Sequence, residues 1–384
     1  MQVRKAGRMV GAFTVRDRGK TNPSSQRNRV TVWESHCQRR SVRENLLRSL
    51  VCIGGDPSST PPMKTAISRR QFIATASAAT ACSLLSPSAG AAEFRSKIRK
   101  AKIIGKVTEA ALTPLKAAGF QGVETTHICP EEEAAQGRAI AEGMGMRVHS
   151  VLRGWMSFNS DDPKAVENSQ EQVRLALRAA KGYGADTILV VPCKVGGIPM
   201  PEPWEFDIKF DPKNGHVSKV VKGDNSKFEA YIAAQNKATD GSRAAVEKLI
   251  PLAEELKVVI ALENVWNNLW VRPALYRHFI ASFANPWVKS YFDIGNHVKY
   301  TPVPVQDWIK ALGPLIAKLH VKDFKLNPDG HGGKFVHPRD GSIDWPAVRR
   351  ALDEAGYDGW ATIEDGGLPL EEFNARFDLI IAGK

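Results

Sequence analysis

The sequence predicts an α/β chain folded as a (β/α)8 TIM barrel, with a β-hairpin inserted after the fourth strand. Three observations predict it. Short, β-branched runs alternate with amphipathic stretches from Lys102 to the C-terminus, the pattern of buried parallel strands joined by crossover helices. The alternation gives eight of each in about 280 residues, the size of one barrel. Four of the later runs close on a carboxylate or an imidazole, at Glu263, Asp293, His320 and Glu364. The alternation alone also fits an open, doubly wound sheet.

The strand runs, in order, are residues 103–107, 122–125, 147–152, 187–191, 258–263, 289–293, 317–321 and 360–364. Between them, residues 166–180, 244–256, 273–283 and 345–355 place apolar side chains at helical spacing. Gly119, Gly184 and Gly356 stand where helices stop. Asp344-Trp345-Pro346 reads as an N-cap followed by proline in the first turn. Residues 195–240 are too long for a plain connection. Within them, 207–210 and 216–221 read as a hairpin, with Asn214-Gly215 supplying the turn. In a barrel this insertion lies over the catalytic face, as a lid. Trp204 and Phe206 either cover a substrate or anchor the hairpin.

Ahead of the barrel stands Ser68-Arg69-Arg70-Gln71-Phe72-Ile73. A mildly apolar stretch to Leu85 and a run of small residues to Ala92 follow it. Together these form a twin-arginine signal, with cleavage expected near Ala91. The apolar stretch is too short to span a bilayer permanently. Membrane contact is therefore expected only during export, and the destination is the periplasm. Met63-Lys64 stands where such signals begin. Residues 1–62 are accordingly read as a non-native or disordered extension, 63–92 as the signal and 93–384 as the barrel.

The formal net charge of +12 is misleading about partners. Residues 1–91 hold 15 Lys and Arg against 4 Asp and Glu, while the remaining 38 and 37 nearly cancel. The barrel has no basic run interleaved with aromatics, so a nucleic-acid partner is excluded. Cys129 and Cys193 are the two cysteines beyond the leader, too few for a disulfide framework or a thiolate metal site. Both read as buried small residues.

Glu263, Asp293 and His320 are separated by 30 and 27 residues, about one β/α unit each, and Glu364 follows after a longer interval of 44. In a barrel the C-terminal ends of these strands converge on one cavity. Any one of these residues alone reads as a helix cap or a hydrogen-bonded polar group. Four in register read as one divalent-metal site: three carboxylates and an imidazole suit Mn²⁺, Mg²⁺, Co²⁺ or Zn²⁺. Three carboxylates around one cavity would otherwise repel strongly.

The residues around these ligands carry a resemblance. Ala261-Leu262-Glu263-Asn264, Phe292-Asp293-Ile294-Gly295-Asn296, His320-Val321-Lys322-Asp323-Phe324, Gly341-Ser342-Ile343-Asp344-Trp345 and Ile363-Glu364 resemble the xylose-isomerase-like sugar phosphate isomerase/epimerase superfamily. That superfamily includes tagatose epimerases, hydroxypyruvate isomerases and hexulose-phosphate isomerases. The resemblance covers about residues 103–381. It implies one divalent ion held by the four ligands, with Glu263 and Glu364 as the acid/base pair. It implies a small-molecule sugar or α-hydroxycarbonyl substrate converted through a cis-enediolate. The family often carries histidine three residues after the aspartate. Here Asn296 stands there, with His297 next to it. The family's epimerases often carry arginine six residues beyond the histidine. Here Leu326 stands there, beside Lys325. Candidate substrate contacts are Asn296, His297, Lys322, His149, Trp155, Trp266 and Glu124, with His127 and Asn264 nearby in the sequence pattern. A homo-oligomer is compatible with such a barrel.

Three other activities compete. An abasic-site endonuclease on the same fold needs an Asp-x-His pair after the seventh strand, and His337-Pro338-Arg339-Asp340 does not supply one. A lyase, dehydratase or hydrolase of oxidised sugars would use the same ligands. A non-catalytic sugar-binding barrel would tolerate loss of a glutamate, and both are present.

Overall fold

The computed structural model describes residues 94–300 and 302–384. The expected signal and the extension before it lie outside the described residues. Eight parallel strands close into a barrel: β1 (Ile98–Ile104), β2 (Gly122–Thr125), β3 (Arg147–Trp155), β4 (Thr187–Val191), β5 (Val259–Glu263), β6 (Val288–Asp293), β7 (Ile316–Val321) and β8 (Gly359–Ile363). They are neighbours in chain order, and β8 pairs with β1. Closure excludes the open doubly wound sheet. The outer ring contains α1 (Glu109–Ala117), α2 (Glu131–Gly143), α3 (Pro163–Tyr183), α4 (Glu229–Glu247), α5 (Ile250–Leu256), α6 (Pro273–Ala281), α7 (Val305–Leu312), α8 (Trp345–Glu354) and α9 (Leu370–Ile381). Among the described residues, no helix is long and apolar enough to cross a membrane.

Two departures from the sequence reading have a clear local reason. The first strand runs earlier than residues 103–107 because cations disguise it. Lys100 reaches Asp378 at 2.6 Å, Lys102 donates to the Asp365 carbonyl at 2.6 Å, and Arg99 lies 5.3 Å from the Trp360 ring centroid. Their stems cover apolar surface while their heads find partners. The helix expected over 244–256 is two helices. Pro251, in the first turn of α5, has no N–H to continue the ladder of α4. Elsewhere the signals act as expected. Gly184 caps α3 at φ 68°, and the Asp344 side chain accepts from the Ala347 N–H at 2.9 Å.

The period-two alternation along each strand positions the site. Ile188, Val190, Ile260, Leu262 and Phe292 belong to the core between strands and helices. Leu189, Val191, Ala261 and Tyr291 form a separate cluster inside the barrel. Glu263 lies two residues after Ala261 and Asp293 two after Tyr291, so both continue the inward set. On β7, Leu319 and Val321 join the outer core, which leaves His320 pointing inward. Ile363 does the same for Glu364.

Two hairpins stand above the barrel. The inserted one pairs Lys209–Phe210 with Val217–Lys219, shorter than expected. Its turn is also longer than an Asn-Gly pair. The Asp211 N–H bonds the His216 carbonyl at 2.8 Å, and only Gly215 takes positive φ, at 80°. Phe206 is buried against Tyr231 and Tyr300, so it anchors the insertion. Trp204 stacks at 4.3 Å on His331, at the tip of a second hairpin. That hairpin, Asp323–Leu326 with Gly333–Val336, was not anticipated. Asn327-Pro328-Asp329-Gly330, a turn signal between Phe324 and Phe335, marks it in the sequence.

Asp323 fastens this hairpin to α8. Its carboxylate accepts from the backbone N–H groups of Phe324 (2.8 Å), Arg339 (2.8 Å) and Gly341 (3.2 Å), and from Trp345 Nε1 (3.0 Å). A Cβ on Gly341 would lie 1.9 Å from Asp323 Oδ1, so this approach requires glycine. Asp323→Ala would orphan several of these donors and is expected to cost about 3 kcal/mol. Denaturant unfolding of the variant measures it.

Candidate active site

Glu263, Asp293, His320 and Glu364 meet at the C-terminal mouth of the barrel. One ligand atom from each lies within 4.8 Å of the others. From His320 Nδ1, Glu364 Oε2 is 2.8 Å away, Glu263 Oε1 3.5 Å and Asp293 Oδ2 4.0 Å. Asp293 Oδ2, His320 Nδ1 and Glu364 Oε2 are buried without hydrogen-bond partners. Buried polar atoms are rarely left so. The donor set, three hard oxygens around one imidazole nitrogen, fits a divalent cation.

The surroundings fix these atoms. Asp293 Oδ1 accepts from the Gly295 and Asn296 N–H groups at 2.8 and 2.7 Å, which turns Oδ2 to the centre. Asn264 pins β6 by accepting from the Asp293 N–H and donating to its carbonyl at 2.8 Å. His320 Nε2 lies 2.6 Å from Glu124 Oε2, and Glu124 Oε1 accepts from Ser150 Oγ at 3.1 Å. A carboxylate on Nε2 directs the lone pair of Nδ1 at the centre. Lys322 Nζ sits 2.8 Å from Glu364 Oε1 and 3.6 Å from Asp293 Oδ2.

Electrostatics follow this layout. Burial, aided by the neighbouring carboxylates, pushes Asp293 up to about 7 and raises Glu263. Burial would raise Glu364 too, but His320 and Lys322 outweigh it and hold it down to about 2. Burial opposes the charge on Lys322, yet Asp293 and Glu364 raise its pKa. Burial likewise opposes charge on the His320 imidazole, yet Glu124 and Glu364 raise it well above its usual value. Burial thus disfavours ionised Asp293 and Glu263, a cost that a cation bound between them would offset.

The other candidates divide. Asn296 donates to Glu263 Oε1 at 3.4 Å, and Trp266 Nε1 donates to the Asn296 carbonyl. Trp266 also stacks on Phe335 at 4.8 Å, with Lys299 Nζ 3.5 Å from its ring centroid. Phe335 is 43% exposed and was not singled out in the sequence; its pattern resembles any strand aromatic. Trp155 closes β3 at 50% exposure. Glu124 and His149 correct the expectation of substrate contact. Glu124 is committed to His320 beneath the cavity. His149 bonds Thr362 Oγ1 at 2.9 Å and stacks on Trp360 at 4.8 Å, deeper inside the barrel. His127 is outside the central cluster, 3.1 Å from Glu133, whose same oxygen is 2.6 Å from Lys106. Cys193 is buried as expected, but Cys129 is half-buried, 3.4 Å from the Tyr183 hydroxyl.

His297 is buried behind the site and its Nδ1 accepts from Asn264 at 3.1 Å. Burial holds its imidazole down to about 3. The folded chain therefore excludes a proton that the unfolded chain binds below about pH 6.5. Stability is full above that value and falls as pH drops toward 3. Between pH 7 and 5 this residue accounts for a loss of about 2 kcal/mol. His297→Asn should flatten the profile by that amount in denaturant titrations at the two pH values.

A closed eight-stranded parallel barrel with three carboxylates and a histidine gathered at its C-terminal mouth defines the class, a (β/α)8 barrel with a candidate metal site. Within that class, the chain belongs to the xylose isomerase-like TIM barrel family, whose model matches residues 112–375. The fold is similar to that of 3-keto-D-glucoside 4-epimerase from E. coli, at 14% identity over 74% of this chain and 99% of that one, with a TM-score of 0.54. It is similar to D-allulose 3-epimerase from Methylomonas sp. in complex with D-allulose, at 18% identity over 70% and 84%, TM-score 0.51. D-Psicose 3-epimerase from Clostridium cellulolyticum H10, solved with D-tagatose, aligns at 15% identity over 74% and 98%, TM-score 0.54. No curated protein matches the chain in sequence.

Proposed function

We propose that the protein is a divalent-metal-dependent isomerase or epimerase of a sugar or α-hydroxycarbonyl compound. The observation that carries this reading is the convergence of Glu263, Asp293, His320 and Glu364 with three buried atoms that make no hydrogen bond. These four residues would hold one Mn²⁺, Mg²⁺, Co²⁺ or Zn²⁺. When bound, the ion supplies Lewis acidity toward a carbonyl and its adjacent hydroxyl.

The remaining chemistry belongs to the chain. Glu263 ends β5 and Glu364 follows β8, so the two carboxylates reach a bound sugar from different strands. One takes the proton from the carbon next to the carbonyl, and the C–H electron pair moves toward the carbonyl carbon to give a cis-enediolate. The other carboxyl returns a proton, to the opposite face for epimerisation or to the neighbouring carbon for isomerisation. Such proton transfers contribute about 10²–10⁴-fold each. Lys322, beside Glu364, donates to a substrate oxygen. Asn296, Trp155 and Trp266 shape the surrounding pocket, and Phe335 extends the wall that Trp266 begins. Resemblance to sugar epimerases in fold supports the substrate class. The twin-arginine segment supports export to the periplasm, where sugars without phosphate are the expected substrates.

The test is proton–deuterium exchange. Full chain loaded with Mn²⁺ is incubated in D₂O with ketoses and with 3-keto-glycosides. Deuterium should enter next to the carbonyl, and an epimer or isomer should accumulate. An unsaturated product would assign a lyase instead, and no exchange on any sugar would leave only binding. Chelation should abolish exchange, and metal return should restore it.

A further inference from the structure

At the opposite end of the barrel, the N-terminal ends of the strands open on a second cavity of about 550 Å³. Five cationic side chains line it: Arg99 on β1, Arg147 on β3, Lys257 before β5, Lys289 on β6 and Lys318 on β7. Two acids line it, Asp186 and Asp358. Both are taken: Asp186 is 2.7 Å from Lys318 and Asp358 is 3.4 Å from Arg99. The other three cations have no carboxylate partner among the described residues. Arg147 donates to the Gly184 carbonyl and Lys289 to the Pro314 carbonyl, each at 3.0 Å. Lys257 Nζ lies 5.3 Å from the Trp287 ring centroid. These three cations thus contact neutral groups, and the mouth sets five cations against two carboxylates that are already paired.

This crowding is local, because the chain beyond residue 91 carries nearly equal numbers of basic and acidic residues. The cations also act on one another. Burial lowers the Lys318 ammonium, Asp186 partly restores it, and Arg99 and Arg147 lower it further. A concave, polar mouth with several held cations concentrates field lines and attracts multiply charged anions. Guanidinium groups match oxyanion geometry in particular. We propose that this mouth binds a small, multivalent oxyanion of the pyrophosphate or phosphate-ester class, at a site separate from the carboxylate cluster. The strand ends make it rigid, and the length of the barrel separates it from the acid/base pair.

The experiment titrates full-length, metal-free protein with pyrophosphate at constant ionic strength, read by calorimetry and by thermal unfolding. Saturable binding and a rise in Tm are expected, with no rise from chloride. A Lys257→Gln/Lys289→Gln double variant should weaken the pyrophosphate Kd at least tenfold. Its Mn²⁺ binding and sugar exchange should match the parent. Arg147→Gln provides an independent variant with the same expected direction. Absence of saturable binding overturns the proposal, as does binding unchanged in both variants. Co-sedimentation with phosphatidylglycerol vesicles, lost in the double variant and without pyrophosphate binding, would assign the mouth to a lipid headgroup and also overturn it.

Discussion

Glu263→Gln and Glu364→Gln are each expected to lower sugar exchange by about 10²–10⁴-fold, the range for loss of a positioned acid or base. Glutamine keeps the shape and an acceptor oxygen but cannot take a proton. Glu263→Gln also removes a buried charge that burial already disfavours. The metal-free variant should therefore unfold at the same or a higher temperature than the parent. Glu364→Gln breaks the 2.8 Å pair with Lys322 and should lower that temperature. The double variant should be little worse than either single, because the two residues act in one sequence. Single-turnover deuterium incorporation measures the loss. Exchange surviving in both single variants removes the pair from the chemistry.

Glu124→Gln is expected to weaken Mn²⁺ binding by about 10–100-fold, the usual cost of losing an outer partner of a metal-ligating histidine. The reason is geometric and electronic. Glu124 Oε2 sits 2.6 Å from His320 Nε2, and both side chains are fully buried. The carboxylate orients the ring and favours a proton on Nε2. A neutral amide donates or accepts less firmly and does not enforce that tautomer. Ser150→Ala, which removes the 3.1 Å bond to the other Glu124 oxygen, should give a smaller loss in the same direction. Calorimetric titration of metal-free protein reads both. Unchanged affinity in Glu124→Gln would show that the contact only packs.

The four central residues were legible because they obey two regularities at once. Each closes an apolar run, and each keeps the inward parity of its strand. The lesser residues were less legible. Glu124 and Lys322 are both charged residues at the ends of apolar runs. Only closure of the barrel, which sets β2 across the interior from β7, commits Glu124 to His320 and leaves Lys322 beside Glu364. Phe335 was not singled out by the sequence, and the hairpin that raises it against Trp266 depends on four bonds to Asp323 from residues up to 22 positions away. The cationic mouth was illegible, since Arg99, Arg147, Lys257, Lys289 and Lys318 are scattered over the chain and resemble surface charge.

The sequence alone determined the alternation of strand and helix and the inward register of Glu263, Asp293, His320 and Glu364. These are local matters: side-chain period, β-branching, caps and short motifs act within a few residues. Tertiary structure decided closure of the sheet, the orientation of His320 by Glu124, the second hairpin over the mouth and the gathering of cations at the far end. Those depend on pairs such as Ile98 with Gly359 and Glu124 with His320. Such contacts, hundreds of residues apart along the chain, form only when the whole barrel does.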